Sequence, residues 1–142
     1  EVNSLKKTIN LYIFDMSQAP PPCRADVLGG CTASNDPFLN SLGVSGWSGP
    51  YTQIYDRTHA WGGHMGVTKD DPFITGGASG YGIYLNDDRP GTSGSDNQGI
   101  IPVSALEKID KALDDGNLAT GEVRGNGNNN ITMGELFISL GQ

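Results

Sequence analysis

Positive charge is scarce in this chain. Nine Lys and Arg face 16 Asp and Glu in 142 residues, for a formal net charge of −7 and a pI near 4.5. Phosphate backbones and anionic lipid surfaces are held by clustered Lys and Arg, so the charge argues against a general nucleic-acid binder and against docking on acidic lipid. Histidine is almost absent: His59 and His64 stand five apart across a Trp-Gly-Gly turn. Zinc would need two further ligands at a supportive spacing, so both read as loop histidines. No Gly-x-Ser-x-Gly elbow is present. The Gly76-Gly77-Ala78-Ser79-Gly80 stretch lacks the Gly-Lys-Ser/Thr ending of a phosphate cradle and reads as a flexible turn. Glycosidase chemistry needs two carboxylates across a cleft, and nothing singles out a pair among the 16. There is no signal peptide and no apolar run of membrane-spanning length. None of these patterns points to an enzyme.

What the chain does have is glycine, 21 residues of it, with abundant Asn, Asp, Ser and Thr. That composition and length suit one loop-rich domain over 1–142. Val2, Leu5, Ile9, Tyr12, Ile13 and Met16 recur at spacings of three and four, which predicts an amphipathic helix over 1–17, stopped by Pro20, Pro21 and Pro22. No capping residue precedes its first apolar position, so the helix is expected to be the lower part of a longer one. Glu1 stands where Met would begin a full chain, as in a processed form or a fragment. Residues 18–63 read as irregular, with a short helix near 37–42. Strand-like runs follow at 64–69, 81–86, 118–124 and 131–140. A second helix over 104–115 is predicted from a Ser104-x-x-Glu107 capping box, with Leu106, Ile109 and Leu113 as its buried face and Gly116 as its stop. One helix first and a small antiparallel sheet afterward make an α+β fold.

Two cysteines, Cys23 and Cys31, flank a short segment containing Gly29 and Gly30. With no further Cys or His nearby to form a metal knuckle, they suit a disulfide made in an oxidising compartment.

Two acidic clusters could offer hard oxygen ligands to Ca²⁺. Asp87, Asp88, Asp96 and Asn97 lie at the two ends of a Gly/Ser loop after a strand, where a solvated acidic turn is the plainer alternative. Asp70-Asp71 ahead of Pro72 is a second candidate with the same alternative. Asp114-Asp115-Gly116 reads as a helix end. A helix-loop-helix calcium loop ending at Glu135 is excluded, because its first position would be Arg124 and its sixth Asn129 instead of the required carboxylate and glycine.

The order and local words of the chain resemble type IV pilins and type II secretion pseudopilins. Glu1 through Asp15, followed by prolines, is similar to the exposed half of the pilin N-terminal helix. Ser48-Gly49-Pro50-Tyr51 with Trp61-Gly62-Gly63 resembles words of the G-type major pseudopilins, although His59-Ala60-Trp61-Gly62 stands where an Asp-Pro-Trp-Gly form is usual. Ile101-Pro102 through Ile109-Asp110 to Leu113-Asp114-Asp115-Gly116-Asn117 and Thr120-Gly121 resembles a helix-and-turn segment of pilin-like proteins. The resemblance implies a pilin-like fold and a structural subunit of a filament. It implies an upstream leader and hydrophobic helix half that anchor the precursor in the inner membrane. Its partners would be copies of itself, related subunits and the assembly machinery, at the cell surface or in the periplasm. Calcium would be a possible structural ion. The competing reading is an adhesive or carbohydrate-binding module with an aromatic platform of Trp47, Trp61, Tyr51, Tyr55 and Tyr81.

Overall fold

The apolar stripe of the first segment forms helix α1 (Val2–Met16). The computed structural model describes residues 2–23, 31–52, 58–71, 78–90, 97–125 and 134–141. On α1, Leu5, Ile9 and Tyr12 are buried, and Val2, Ile13 and Met16 pack half-buried against the same cluster. A 3.6-residue period places all six on one side. Ser17 adopts a left-handed φ of 53° and closes the helix through its N–H on the Ile13 carbonyl, 2.8 Å away.

Strands β1 (Met65–Asp71) and β2 (Ala78–Leu85) form a hairpin. Helix α2 (Val103–Leu113) follows, then β3 (Val123–Gly125) and β4 (Leu136–Ser139). The four strands make one antiparallel sheet in the order β1-β2-β4-β3. The class is α+β, with two helices and a small sheet among the described residues.

Alternation along the strands divides the sheet into two faces. Met65, Val67, Ile83, Leu85, Val123, Leu136 and Ile138 join Leu5, Ile9, Tyr12 and Leu106 in the main core. On the other face Tyr84 lies directly opposite Phe137, and both are buried. Glycine makes room for these rings: a Cβ at Gly82 would overlap the Phe137 ring, and one at Gly66 would press on Tyr84 and His64. An aromatic laid over a strand glycine restores the cover that the missing side chain cannot supply.

The 31–52 segment extends the core beyond α1. Asp36 Oδ1 accepts the Phe38 N–H (2.8 Å), which turns Phe38 inward against the edge of Tyr12 at 5.7 Å between ring centroids. Tyr51 packs on Tyr12 and Trp47 on Tyr51, and Trp47 Nε1 donates to the Pro37 carbonyl (3.0 Å).

Several local expectations need correction. Residues 37–42 form turns, not a short helix. The strand predicted over 118–124 starts only at Val123, because the chain before it turns around Asp115 and Asn117. The described part of the 131–140 run is strand from Leu136 to Ser139. The capping box does not form. Pro102 occupies the N-cap of α2 with no side-chain cap bond, so Ser104 falls inside the first turn. Leu113 is half exposed at 50%, whereas Asp110 is fully buried in its place. Gly116, at φ 82°, does mark the helix end.

Candidate functional site

The Cys23–Cys31 disulfide is present, with Cα atoms 5.0 Å apart. Cys23 pairs with the edge of β1 through its N–H on the Val67 carbonyl (2.9 Å), so the bridge tethers the 31–52 segment to the sheet. Both cysteines are buried beside Asp36. Their sulfurs are committed to each other and offer no thiolate to a metal.

The first calcium candidate leaves β2 at Asn86. Asn86, Asp87 and Asp88 are buried, Asn97 is exposed, and Asp96 lies outside the described residues. Here the chain is held by its own polar groups. His64 N–H donates to the Asp88 carbonyl (2.7 Å), Asn86 N–H to the His64 carbonyl (2.8 Å), and Gly99 N–H to the Asp87 carbonyl (2.6 Å). Asn97 N–H donates to Asp88 Oδ1 (2.9 Å), closing the loop, and Asn97 takes a left-handed φ of 48° to do so. Asn86 Nδ2 reaches the Glu135 carboxylate, and its Oδ1 accepts the Asp88 N–H (2.8 Å). His59 belongs to this nexus as a buried, hydrogen-bonded side chain, and the buried His64 joins it through its main chain, with its ring on the edge of Tyr84. His59 Nε2 donates to the Asn86 carbonyl (2.8 Å), while its Nδ1 accepts the Trp61 N–H (3.3 Å), which fixes the neutral tautomer. A Cβ on Gly63 or Gly99 would collide with backbone, so the two loops touch main chain to main chain. The arrangement is a polar clasp at one end of the β1–β2 hairpin. Asp70 and Asp71, the second candidate, lie at the end of β1.

A third acidic cluster, taken from sequence as a plain helix end, has a different geometry. Asp110, Asp114 and Asp115 each bring one carboxylate oxygen to within 4.8 Å of the others. Asp110 is 0% exposed, and neither of its oxygens closes a hydrogen bond of normal geometry among the described residues, the Gly116 amide being the one donor that acts on it. Burial, and then the negative charges of Asp115 and Asp114, push its carboxyl above the usual range, with the Gly116 amide opposing them. Asp114 Oδ2 accepts the N–H groups of Glu122 and Val123, the latter at 3.0 Å. Asp115 accepts Asn117 N–H (2.8 Å) and Thr120 Oγ1–H (2.7 Å); these two bonds, led by the Thr120 hydroxyl, hold it below the usual range. Sequence reasoning passed over Asp110 because the apolar pattern pointed to Leu113. The available signal was its position four residues after the buried Leu106, on the same face of α2.

The apolar residues of α1 that face away from the sheet form a further surface. Phe14 is 84% exposed and Leu11 46%, three residues apart on the outer side. The proposed aromatic platform is not assembled from its described members. Trp47 and Tyr51 are half-buried against the core around Tyr12, Tyr81 packs against that core beneath Lys69, and Trp61 sits over His59 elsewhere. Tyr55 lies outside the described residues. No helix among the described residues is long and apolar enough to cross a membrane. No protein-family model, curated protein or solved structure matches the chain.

Proposed function

We propose that this chain is the globular part of a structural subunit in a type IV pilus-like filament, a pilin or type II secretion pseudopilin, and that it works by helical self-assembly and not by catalysis. The observation that carries this reading is the two-sided character of α1. One face, through Leu5, Ile9 and Tyr12, is committed to the sheet, and the opposite face exposes Leu11 and Phe14. A phenylalanine exposed over most of its surface on a rigid helix is suited to burial by a neighbouring copy, as in a heterologous array that propagates without closing. The helix-first, antiparallel-sheet-after order and the Pro102-to-Gly121 segment agree with this assignment. The proposed partners are copies of the chain, related subunits and the inner-membrane assembly machinery, and the proposed location is a surface or periplasmic filament.

The test joins the chain to the leader and hydrophobic helix half of a pilin in a bacterium with a working pilus or pseudopilus assembly system. Recovery of the chain in sheared filaments, lost in a Phe14→Asp variant that folds normally, is the expected result. A wild-type chain that stays in the membrane fraction, or a Phe14→Asp chain that assembles equally well, would reject the reading.

A further inference from the structure

We propose that Asp110, Asp114 and Asp115 form a structural calcium site that ties the C-terminal end of α2 to the turn leading into β3. The site stands whether or not the chain assembles into filaments.

Two independent observations lead to it. The first is convergence: three carboxylates place oxygens within 4.8 Å of one another. Two oxygens bound to one Ca²⁺ at about 2.4 Å each can be separated by at most about 4.8 Å, so this spacing suits a shared ion. The second is Asp110 itself. It is fully buried, neither oxygen closes a hydrogen bond of normal geometry among the described residues, and one of them lies within 4.8 Å of the other two carboxylates. A buried carboxylate with no counter-charge, and only the Gly116 amide to stabilise it, is costly for a small domain. Here two more carboxylates press on it, at the helix end where the macrodipole is also negative. Lys111, the basic residue of the last turn, is exposed. A divalent cation resolves all three conflicts at once.

The surrounding bonds act as supports for ligands. Glu122 and Val123 amides orient Asp114, and Asn117 N–H with the Thr120 hydroxyl orient Asp115. Asp114 spends Oδ2 on two N–H groups and offers Oδ1 to a metal, whereas each Asp115 oxygen accepts one bond and keeps its second lone-pair direction. Gly121, at φ 77°, brings the backbone so close to Asp114 that a Cβ there would strike its carboxylate. The donor set is all oxygen, with neither imidazole nor thiolate, which selects a hard ion over zinc or copper. Asp114 and Asp115 are exposed, so water can complete six to eight ligands. Irregular geometry of this kind favours Ca²⁺ over Mg²⁺, which demands a near-ideal octahedron.

The test is calorimetric titration of the 142-residue chain with CaCl₂ and, separately, MgCl₂, beside thermal melts in chelator and in 10 mM Ca²⁺. The expected result is one Ca²⁺ per chain with an affinity of about 0.1–1 mM, the range of extracellular modules, and weaker Mg²⁺ binding. The melting point should rise by about 5–9 °C in 10 mM Ca²⁺. Asp110→Asn should weaken binding at least tenfold, erase the calcium-dependent rise and melt no lower than wild type in chelator, since it removes a buried charge. Asp115→Asn, at an exposed position, supplies the same affinity test should Asp110→Asn fail to fold. Asp88→Asn, in the other acidic loop, should leave the affinity unchanged. Absence of Ca²⁺ binding by wild type, wild-type affinity in folded Asp110→Asn or Asp115→Asn, or loss of binding in Asp88→Asn alone would each overturn the assignment.

Discussion

Reducing the Cys23–Cys31 bridge should lower the melting point by about 8 °C. The bridge spans a sequence separation of 8. Closing a loop of that length removes about 8 cal/mol/K from the unfolded chain, or about 2.5 kcal/mol at 25 °C. A chain of 142 residues unfolds with an entropy of about 300 cal/mol/K at roughly 2.1 cal/mol/K per residue, which converts that loss into the stated shift. Reduction alone keeps both sulfur atoms in their buried places and so isolates the covalent constraint. The Cys23→Ala/Cys31→Ala double variant also loses sulfur packing, and should melt lower again, by about 1 kcal/mol equivalent or more. The assay is circular-dichroism melting of oxidised, fully reduced and double-alanine protein, with thiol titration to confirm the redox state. A shift below about 2 °C on complete reduction would refute the loop-closure reasoning. It would mean that the Cys23 N–H on the Val67 carbonyl, and not the bridge, holds this segment to β1.

Ile9→Ala should cost about 3 kcal/mol in denaturant unfolding, because Ile9 is 0% exposed beneath the sheet, and a loss under about 1 kcal/mol would mean that α1 is not part of the cooperative core. Gly82→Ala should destabilise by about 1–3 kcal/mol, since its Cβ meets the Phe137 ring, and the damage should appear as faster hydrogen exchange along β2 and β4. Phe14→Ser should change stability by less than about 0.5 kcal/mol in the same unfolding assay, at an 84% exposed site whose apolar surface the fold does not use. Tyr12 titrates above its ordinary value because burial, and then Tyr51, disfavour the phenolate. Its contribution to stability is therefore intact below the unfolded value of 10.0 and is lost as pH rises through the folded one. Tyr12→Phe should flatten that alkaline limb, and an unchanged slope of unfolding free energy above pH 10 would contradict it.

The order helix-then-sheet was legible because each periodicity is long enough to be distinctive. The stripe of Val2, Leu5, Ile9, Tyr12, Ile13 and Met16 faces the core as its spacing predicts. Helix α2 was legible in extent but not in rotation. Its apolar residues Leu106, Ile109 and Leu113 define one face, yet Asp110 takes the inner position and Leu113 half emerges. A pattern rule that assigns carboxylates to solvent cannot anticipate one that the fold buries. The N-terminus of α2 failed for a local reason: Pro102, with a non-helical ψ of 138°, takes the N-cap, so the helix starts at Val103 and Ser104 falls inside its first turn. The two histidines showed the opposite limit. Their loop placement was readable, but their burial depends on main-chain carbonyls of Asn86 and Asp88 that come close only when the hairpin closes. No one-dimensional signal encodes that meeting.

The sheet order also sets a timetable for folding. Strand β4, the last of the four along the chain, lies between β2 and β3 and supplies the pairing partner of both. A chain that emerges in order can close the β1–β2 hairpin early, but β2 keeps an open edge until Leu136–Ser139 arrives to fill it. Until then the hydrophobic row of Ile83 and Leu85 faces an incomplete core, and β3 has no strand to join. The β2–β4 pairing is the non-local one of these contacts, and it is expected to form more slowly than the hairpin. The same geometry makes the Leu136–Ser139 strand a lock: withdrawing it by mutation or competition from a foreign strand would release both neighbours together, so the sheet should open cooperatively from its middle and not fray from its edges.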